Sequence, residues 1–184
     1  MEKFVEKTKK EIRKEMLQKR RSLEREYVEM QSDFVFEKLK TLPFFEKARS
    51  VFCYVDFQNE IKTDKICDFY KSKQLFVPKI IGDDMYACKI SDQKKKNAYG
   101  IDEPATGEPF RGDLDLCIIP LVACDANGAR IGFGKGYYDR FLKEKNVVKV
   151  GICYSWQVVE KIESEPHDVK LDYIVTEKEI IEVK

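Results

Sequence analysis

The chain has 184 residues, enough for one domain with a core of ordinary size. Its 34 basic and 33 acidic residues give a net charge of +1, which argues against a nucleic-acid-binding protein, since such proteins carry a clear basic excess. No run of 18 apolar residues is present and the N-terminus is charged, so we expect neither a membrane span nor a signal peptide, and a cytoplasmic location.

The first part of the chain, from residue 8 to about 42, has the apolar spacing of two helices. Ile12 and Met16 lie on one face of the first helix, and Val28 and Val35 lie on one face of the second. Ser22 stands between the two stripes, where its hydroxyl can cap the start of the second helix.

From about residue 50, apolar runs rich in strand-forming residues alternate with segments typical of helices. The runs are VFCYV (51–55), LFVPKI (75–80), MYACKI (85–90), DLCIIPLVACD (115–125), VVKVGICYS (147–155) and LDYIVT (171–176). The six cysteines lie mostly in such runs and show neither a CxxC pair nor zinc-ligand spacing, so we expect reduced core thiols.

This alternation predicts an α/β fold: an open, mostly parallel sheet with helices on both faces, in three layers. We expect a single domain over residues 1–184, with a helical segment up to about residue 42 and an α/β body from about residue 50. Pro78 predicts a strand edge or end, because proline cannot donate to a ladder. The stretch 91–112 has little periodicity, and long loops of this kind are usually functional or mobile.

Three glycines at alternate positions, Gly132, Gly134 and Gly136, stand directly before the aromatic segment YYDRFL. They match neither the Walker A nor the GxGxxG pattern. Alternate glycines allow positive φ and can turn successive N–H groups toward one point beside a helix N-terminus, with Lys135 and Arg130 adding positive charge. The pattern indicates a phosphate-bearing ligand; the alternative is a turn that only lets a strand and a helix pack closely.

Asp139 near this segment, and Lys9 and Arg13 in the first helix, each allow two interpretations of their role. Asp139 follows the glycines by one helical step, where a carboxylate could hold a metal on phosphate oxygens or simply satisfy a helix N-terminus. Lys9 and Arg13 are spaced i, i+4 on one face of the first helix. They could reach a bound anion, or cover apolar surface with their stems while their charges stay in water.

Five segments together resemble the 5-formyltetrahydrofolate cyclo-ligase family, also called methenyltetrahydrofolate synthetase. They are KKEIRKEM, YVDFQNEIKT, YGIDEP, IIPLVACDANGARIGFGKGYYDRFL and EPHDVKLDYIVTE, in the family's order. The resemblance implies an ATP- and Mg²⁺-dependent enzyme that converts 5-formyltetrahydrofolate to 5,10-methenyltetrahydrofolate, releasing ADP and phosphate. In that reaction the formyl oxygen attacks the γ-phosphate of ATP, N10 attacks the activated carbon and phosphate leaves, so no protein nucleophile is required.

The resemblance also implies the site residues. Its ATP positions are Lys9, Lys10, Arg13, Arg130, Ile131, Gly132, Phe133, Gly134, Lys135, Gly136, Tyr137 and Tyr138. Its folate positions are Phe57, Glu60, Lys62, Tyr99, Phe133, Gly134, Lys135, Gly136 and Tyr137. Asp139 and Asp172 match its magnesium carboxylates, and Lys135 and Tyr138 are the candidate catalytic residues.

Two positions depart from the family's pattern. Lys62 stands where some members have a carboxylate that contacts folate, and Glu60 is the nearby substitute; Phe133 stands where other members carry arginine. Two other classes stay open: an α/β enzyme holding a phosphorylated sugar or a CoA derivative on the same loop, and a nucleic-acid-binding module built on the basic helix. We expect small-molecule substrates, no nucleic acid, no membrane and a monomer.

Overall fold

The computed structural model describes residues 7–91 and 93–184, so the first six residues of the predicted helical segment lie outside the described part. Three helices precede the first strand: α1 (Lys9–Arg21), α2 (Arg25–Lys40) and the short α3 (Pro43–Lys47). The prediction of two helices over residues 8–42 is confirmed by α1 and α2. Helix α1 begins after its N-cap residue Thr8, which exchanges hydrogen bonds with Glu11 in a capping box.

Ser22 does not cap α2, so that prediction is wrong. Its hydroxyl donates a 2.8 Å hydrogen bond to the carbonyl oxygen of Lys19 at the end of α1. Helix α2 begins after Glu24 without a side-chain cap. The tight connection uses the serine to satisfy the end of one helix instead of the start of the next.

The remaining elements alternate along the chain. The strands are β1 (Ser50–Cys53), β2 (Gln74–Ile81), β3 (Asp84–Lys89), β4 (Lys94–Lys96), β5 (Asp102–Pro104), β6 (Leu116–Ile119), β7 (Ala123–Asp125), β8 (Arg130–Ile131), β9 (Val148–Ile152), β10 (Val158–Val159), β11 (Tyr173–Val175) and β12 (Ile180–Glu182). Helices α4 (Asp64–Tyr70) and α5 (Tyr137–Leu142) and a 3₁₀ turn (Ser155–Gln157) lie between them.

A seven-stranded sheet forms the centre, in the order β12-β11-β9-β6-β1-β2-β3. The pairs from β11 to β2 are parallel, while β12 and β3 add antiparallel strands at the two edges. Strands β10, β7 and β8 form a separate three-stranded sheet, and β4 pairs with β5. The predicted α/β class with a mostly parallel sheet is confirmed.

Helices cover both faces of the central sheet because successive side chains of a strand point to opposite sides. In β1, Val51 and Cys53 pack in the core that α2, α3 and α4 cover. Phe52, between them, packs on the other face, with its ring centroid 4.7 Å from that of Phe141 in α5. Helices α2 and α3 therefore share a core with the α/β body, while Ile12 of α1 packs in a smaller cluster with Ile131.

The predicted strand over residues 115–125 is two strands in two sheets, which corrects that prediction. Strand β6 ends before Pro120, and β7 then pairs with β8 and β10. The intervening Leu121 and Val122 are buried although they belong to neither strand, so the apolar run is continuous while the hydrogen bonding is not. Proline lacks the N–H that a central ladder needs, which explains where the chain leaves the sheet.

Pro78 and the cysteines behave as the sequence predicts. Pairing of β1 with β2 stops at Phe76, so Pro78 lies past the end of that ladder and pairs only with Ala87 of β3. All six cysteines are free, and all but Cys67 are buried. Among the described residues, no helix has the length and apolar character needed to cross a bilayer.

Candidate active site

The basic face of α1 packs against the glycine loop, defined here as residues 132–136 between β8 and α5. Arg13 Nε donates a 2.7 Å hydrogen bond to the carbonyl oxygen of Gly132. Gly134 has φ +94°, and a Cβ at this position would lie 3.6 Å from the Arg13 guanidinium carbon. Gly136 has φ +66° and precedes the first residue of α5. The structure therefore brings together two segments, distant in the sequence, that are each predicted to bind phosphate.

Arg130 and Lys9 pair with acids beside this loop. One Arg130 nitrogen, Nη2, donates to Asp139 Oδ1 at 2.7 Å, and the other, Nη1, donates to the carbonyl oxygen of Val169. The Val169 N–H also donates to Asp139 Oδ1, at 3.1 Å. Lys9 Nζ lies 2.7 Å from Asp168 Oδ2. The Arg130 guanidinium donates to both Asp139 and Val169, and these bonds hold the Asp139 carboxylate in a fixed orientation.

The two predicted metal carboxylates have different cationic partners. Asp139 pairs with Arg130, whereas Asp172 Oδ2 accepts from the Lys149 N–H at 2.7 Å and lies 2.9 Å from Lys149 Nζ. Within residues 7–91 and 93–184, the second oxygen of each acid accepts no hydrogen bond. Free carboxylate oxygens are hard ligands that suit Mg²⁺, so the donor chemistry fits, and a shared site stays a prediction.

Two predicted folate residues meet at the end of the glycine loop, where α5 begins. The hydroxyl oxygens of Tyr99 and Tyr137 lie 3.1 Å apart, and their rings are edge to face with centroids 6.3 Å apart. This hydrogen bond is the main cause of the raised pKa of Tyr137. The stretch 91–112 thus reaches the first residue of α5, and its predicted closure over substrate remains a prediction.

A cavity of about 310 Å³ lies beside the segment that carries Phe57 and Lys62. Asp56 and Thr63 line it from this segment, while Lys94 lines it from β4. Lys62, the residue that differs from the family's pattern, pairs with Asp56, with 2.8 Å between Nζ and Oδ2. The charge of Lys62 is therefore neutralised within the protein.

Sequence reasoning missed Arg20, which is buried at the end of α1. Its Nη1 lies 3.4 Å from Glu60 Oε1, and its guanidinium carbon lies 5.5 Å from the centroid of the Phe133 ring. Glu60 Oε2 accepts a 3.0 Å hydrogen bond from the Phe57 N–H. The signal was present in the spacing: Arg20 follows Arg13 by seven residues, close to two helical turns, so both lie on one face of α1.

The Arg20–Glu60 pair is enclosed and incompletely satisfied. Only 1% of Arg20 and 5% of Glu60 is exposed. Burial raises the pKa of Glu60 to about 7, although the positive charge of Arg20 opposes that shift. Among the described residues, Arg20 Nε and Nη2 and Glu60 Oε1 have no hydrogen-bond partner. Buried polar atoms of native proteins are nearly always paired, so this pair is an exception that needs an explanation.

The candidate catalytic residues differ in their environments. Tyr138 is partly buried against Phe52, with ring centroids 6.2 Å apart. Burial, with a further effect from Glu60, raises the pKa of Tyr138 well above its usual value, so its hydroxyl stays protonated at neutral pH. Lys135 is exposed, and within the described chain its ammonium group makes no contact with a protein acceptor.

Two further predicted ATP positions lie apart from these contacts. Ile131 is buried and packs in the small core that includes Ile12 of α1. Its side chain therefore joins the glycine loop to α1 instead of facing solvent. Lys10 is exposed on α1. Contact of either residue with ATP stays a prediction.

The order and spacing of these elements match a known family. The family model described as the 5-formyltetrahydrofolate cyclo-ligase family matches residues 5–177, nearly the whole chain. The chain belongs to this family. The predicted family is therefore confirmed, and the matched range includes the site residues described above.

Individual relatives agree with this assignment. A 5-formyltetrahydrofolate cyclo-ligase of Mycoplasma pneumoniae is 32% identical, with 91% of this chain and 97% of the relative covered. A probable cyclo-ligase of Schizosaccharomyces pombe is 31% identical, covering 84% of this chain and 87% of the relative. The NMR structure of Aquifex aeolicus 5,10-methenyltetrahydrofolate synthetase superimposes with a TM-score of 0.85 and 36% identity, covering 96% of this chain and 93% of that one.

Proposed function

We propose that this cyclo-ligase family member converts 5-formyltetrahydrofolate to 5,10-methenyltetrahydrofolate with hydrolysis of ATP to ADP and phosphate. The observation that carries this proposal is the 2.7 Å hydrogen bond between Arg13 Nε and the Gly132 carbonyl oxygen. It joins a basic helix face to a loop with two positive-φ glycines, a combination suited to a triphosphate. The pair of Tyr99 and Tyr137 at the end of the loop suits a flat aromatic ring.

The reaction is mainly a task of positioning and charge neutralisation. We infer that the glycine-loop N–H groups, Lys135, Lys9 and Arg13 hold the phosphates. Phe57, Tyr99 and Tyr137 would flank the pterin, so that the formyl oxygen meets the γ-phosphate at the loop between them. The protonated hydroxyl of Tyr138 would donate a hydrogen bond to an oxygen of the transferring group.

We infer that Asp139 and Asp172 hold Mg²⁺ through their free carboxylate oxygens. When bound, Mg²⁺ would neutralise charge on the phosphate oxygens. Arg130 would keep Asp139 in place through the 2.7 Å ion pair. Titration of the purified chain with Mg²⁺, with ADP release as the measurement, tests this requirement.

One assay tests the proposed function directly. The purified chain is incubated with ATP, Mg²⁺ and 5-formyltetrahydrofolate while the near-ultraviolet absorbance of the methenyl product is followed. We expect absorbance to rise only with ATP, with one ADP released per product molecule. Absence of the methenyl product with all three components present would contradict the proposal.

The remaining expectations concern partners and location. We propose that the chain acts on small molecules as a monomer in the cytoplasm, without nucleic acid. Light scattering during size-exclusion chromatography checks the monomer, since a dimer would elute with about twice the mass of 21.6 kDa. Binding to a DNA or RNA oligonucleotide that weakens steeply with salt would contradict the absence of a nucleic-acid partner.

A further inference from the structure

The Arg20–Glu60 pair lies where the predicted ATP and folate segments meet. Arg20 belongs to α1, the helix that carries Lys9 and Arg13. Glu60 belongs to the segment that carries Phe57 and accepts the Phe57 N–H. The Phe133 ring of the glycine loop lies over the guanidinium of Arg20, so three separate segments converge on one buried ion pair.

The Phe133 ring covers the guanidinium of Arg20. Its side chain is among the exposed large hydrophobic groups, with 48% of the residue accessible, while Arg20 beneath it is buried. Gly132 and Gly134 flank it, and neither would meet a close contact below 3.4 Å if a Cβ were added. The flanking glycines add no side chains that would hinder the Phe133 ring, so we expect it to move aside and expose the pair when substrate binds.

The segment that carries Glu60 is held rigidly to α1. Gln58 and Asn59 have φ values of 46° and 59°, a left-handed conformation that costs energy for residues other than glycine. Asn59 Nδ2 donates to the carbonyl oxygens of Arg20 and Leu23 at 3.1 and 3.2 Å. These bonds offset the strain and fix the position of Glu60 relative to Arg20.

The proposed reaction releases a proton that the chain must accept. When N10 attacks the phosphorylated formyl carbon, a C–N bond forms and N10 carries a positive charge until its hydrogen leaves. The C–O bond to phosphate then breaks, N5 regenerates a C=N bond, and the departing phosphate oxygen requires a proton to leave as hydrogen phosphate. One carboxylate can take the first proton and supply the second.

We propose that Glu60 accepts the N10 proton through Oε1 and returns it to the departing phosphate oxygen, with Arg20 as its positioning residue. The inference rests on the proposed cyclo-ligase function. Glu60 Oε1 is a buried acceptor without a hydrogen bond from any described residue, and it lies 3.4 Å from Arg20 Nη1. Nε and Nη2 of the same guanidinium are buried donors that likewise lack a partner among the described residues. The proton that N10 loses is the proton that the phosphate gains as it leaves as hydrogen phosphate, so Glu60 ends the reaction in its starting state.

The surroundings of Glu60 suit both steps. Six charged or titratable groups interact electrostatically with its carboxyl group: Arg20, Asp56, Lys62, Tyr54, Tyr138 and Tyr154. The raised pKa of about 7 places proton uptake and release near neutral pH. Asp56 is a poorer acceptor because it already accepts hydrogen bonds from Thr63 and Lys62.

The first test is Glu60→Gln, which keeps the shape of the side chain. We expect kcat for methenyl formation to fall about 100-fold or more, the usual scale for loss of a general acid–base group. We expect the KM for ATP to stay within about twofold, because the glycine loop and α1 are proposed to hold the ATP phosphates, while Glu60 would meet only the phosphate oxygen that departs. In the unmodified enzyme kcat should rise with pH to a plateau above about pH 7, and this limb should be absent in the variant. Retention of kcat and of the limb would overturn the proposal.

The second test separates positioning from folding. Arg20→Lys keeps the positive charge and should keep the pH limb near its original position, whereas Arg20→Met should move the limb to higher pH because Glu60 loses the charge that favours ionisation. Circular dichroism checks that each variant folds. An unmoved limb in a folded Arg20→Met variant would contradict the role of Arg20.

The controls distinguish this proposal from the proposed function. Glu37→Gln removes an exposed acid of α2 that pairs with Lys40, and it should leave kcat unchanged. If the unmodified chain forms no methenyl product, the cyclo-ligase function fails. If the unmodified chain and Glu60→Gln are equally active, only the role of Glu60 fails.

Discussion

Arg13 and Gly132 are 119 residues apart in sequence and 2.7 Å apart in space, from Nε to the carbonyl oxygen. This contact aims the basic face of α1 at the loop whose glycines adopt positive φ. The alternative for Arg13, a charge left in water with its stem on apolar surface, does not describe this guanidinium. The predicted contribution of α1 to nucleotide binding can therefore be tested at this contact.

Replacing Arg13 by alanine should raise the KM for ATP about tenfold or more. A charge-assisted hydrogen bond contributes about 1.5–3 kcal/mol, and about 1.4 kcal/mol corresponds to a factor of ten. Steady-state kinetics with varied ATP provides the measurement. Lys14→Ala, an exposed position one residue later, is the matched control and should leave the KM unchanged. An unaltered KM in Arg13→Ala would remove Arg13 from the ATP site.

Replacing Asp139 by asparagine should lower turnover far more than folate affinity. The amide retains an acceptor for Arg130 and Val169 but loses the charge that a metal requires. Turnover at increasing Mg²⁺ and folate binding by fluorescence are compared in the two proteins. Equal turnover in saturating Mg²⁺ would leave Asp139 as a partner of Arg130 only.

Replacing Gly134 by alanine should destabilise the protein and also weaken ATP binding. Its φ of +94° disfavours a side chain, and the new Cβ would contact the guanidinium of Arg13 at 3.6 Å. Gly82→Ala is the matched control, because Gly82 has φ +63° in the β2–β3 turn with open space around it. Both variants should lose about 1 kcal/mol or more of stability from backbone strain, measured by thermal unfolding. Only Gly134→Ala should raise the KM for ATP.

Cys67 should be the first thiol to react with iodoacetamide. It is the one cysteine among the six that is not fully buried, and it lines the cavity of about 310 Å³. A hydrogen bond from Cys53 lowers the pKa of Cys67, so a larger fraction is thiolate at pH 8. Peptide mass spectrometry of the partly labelled protein gives the order of reaction. Equal labelling of all six thiols before unfolding would contradict this environment.

The fold class follows from the sequence because its apolar runs are well separated and each is bounded by polar or turn residues. The exception is the run around Pro120, where burial continues after the ladder ends. Hydrophobicity reports burial and not hydrogen-bond partners, so one apolar run was interpreted as one strand. The proline itself marked the place where the chain changes sheets.

The site was less predictable than the fold. The glycine loop and Arg13 carry local patterns that indicate phosphate binding, and the structure brings them together. Arg20 lies within the basic run KRR, where composition does not distinguish a buried arginine from the exposed Lys19 and Arg21. The seven-residue spacing from Arg13 places Arg20 on the same face of α1, but its burial depends on the contact with Glu60, 40 positions away, which exists only in the folded chain.

The chain leaves the central sheet at Pro120 and then forms the β7–β8 hairpin, which belongs to a separate sheet. The glycine loop follows β8 directly, so it is attached to this hairpin and not to a central strand. Opening of that hairpin would break the pairing of β7 with β8 and the Arg130 bonds to Asp139 and Val169, but no pairing of the seven-stranded sheet. Amide protons of β8 should therefore exchange with deuterium well before those of β1 and β6, through a local fluctuation cheaper than global unfolding. The fold thus separates the loop that is predicted to bind ligands from the sheet that keeps the molecule stable.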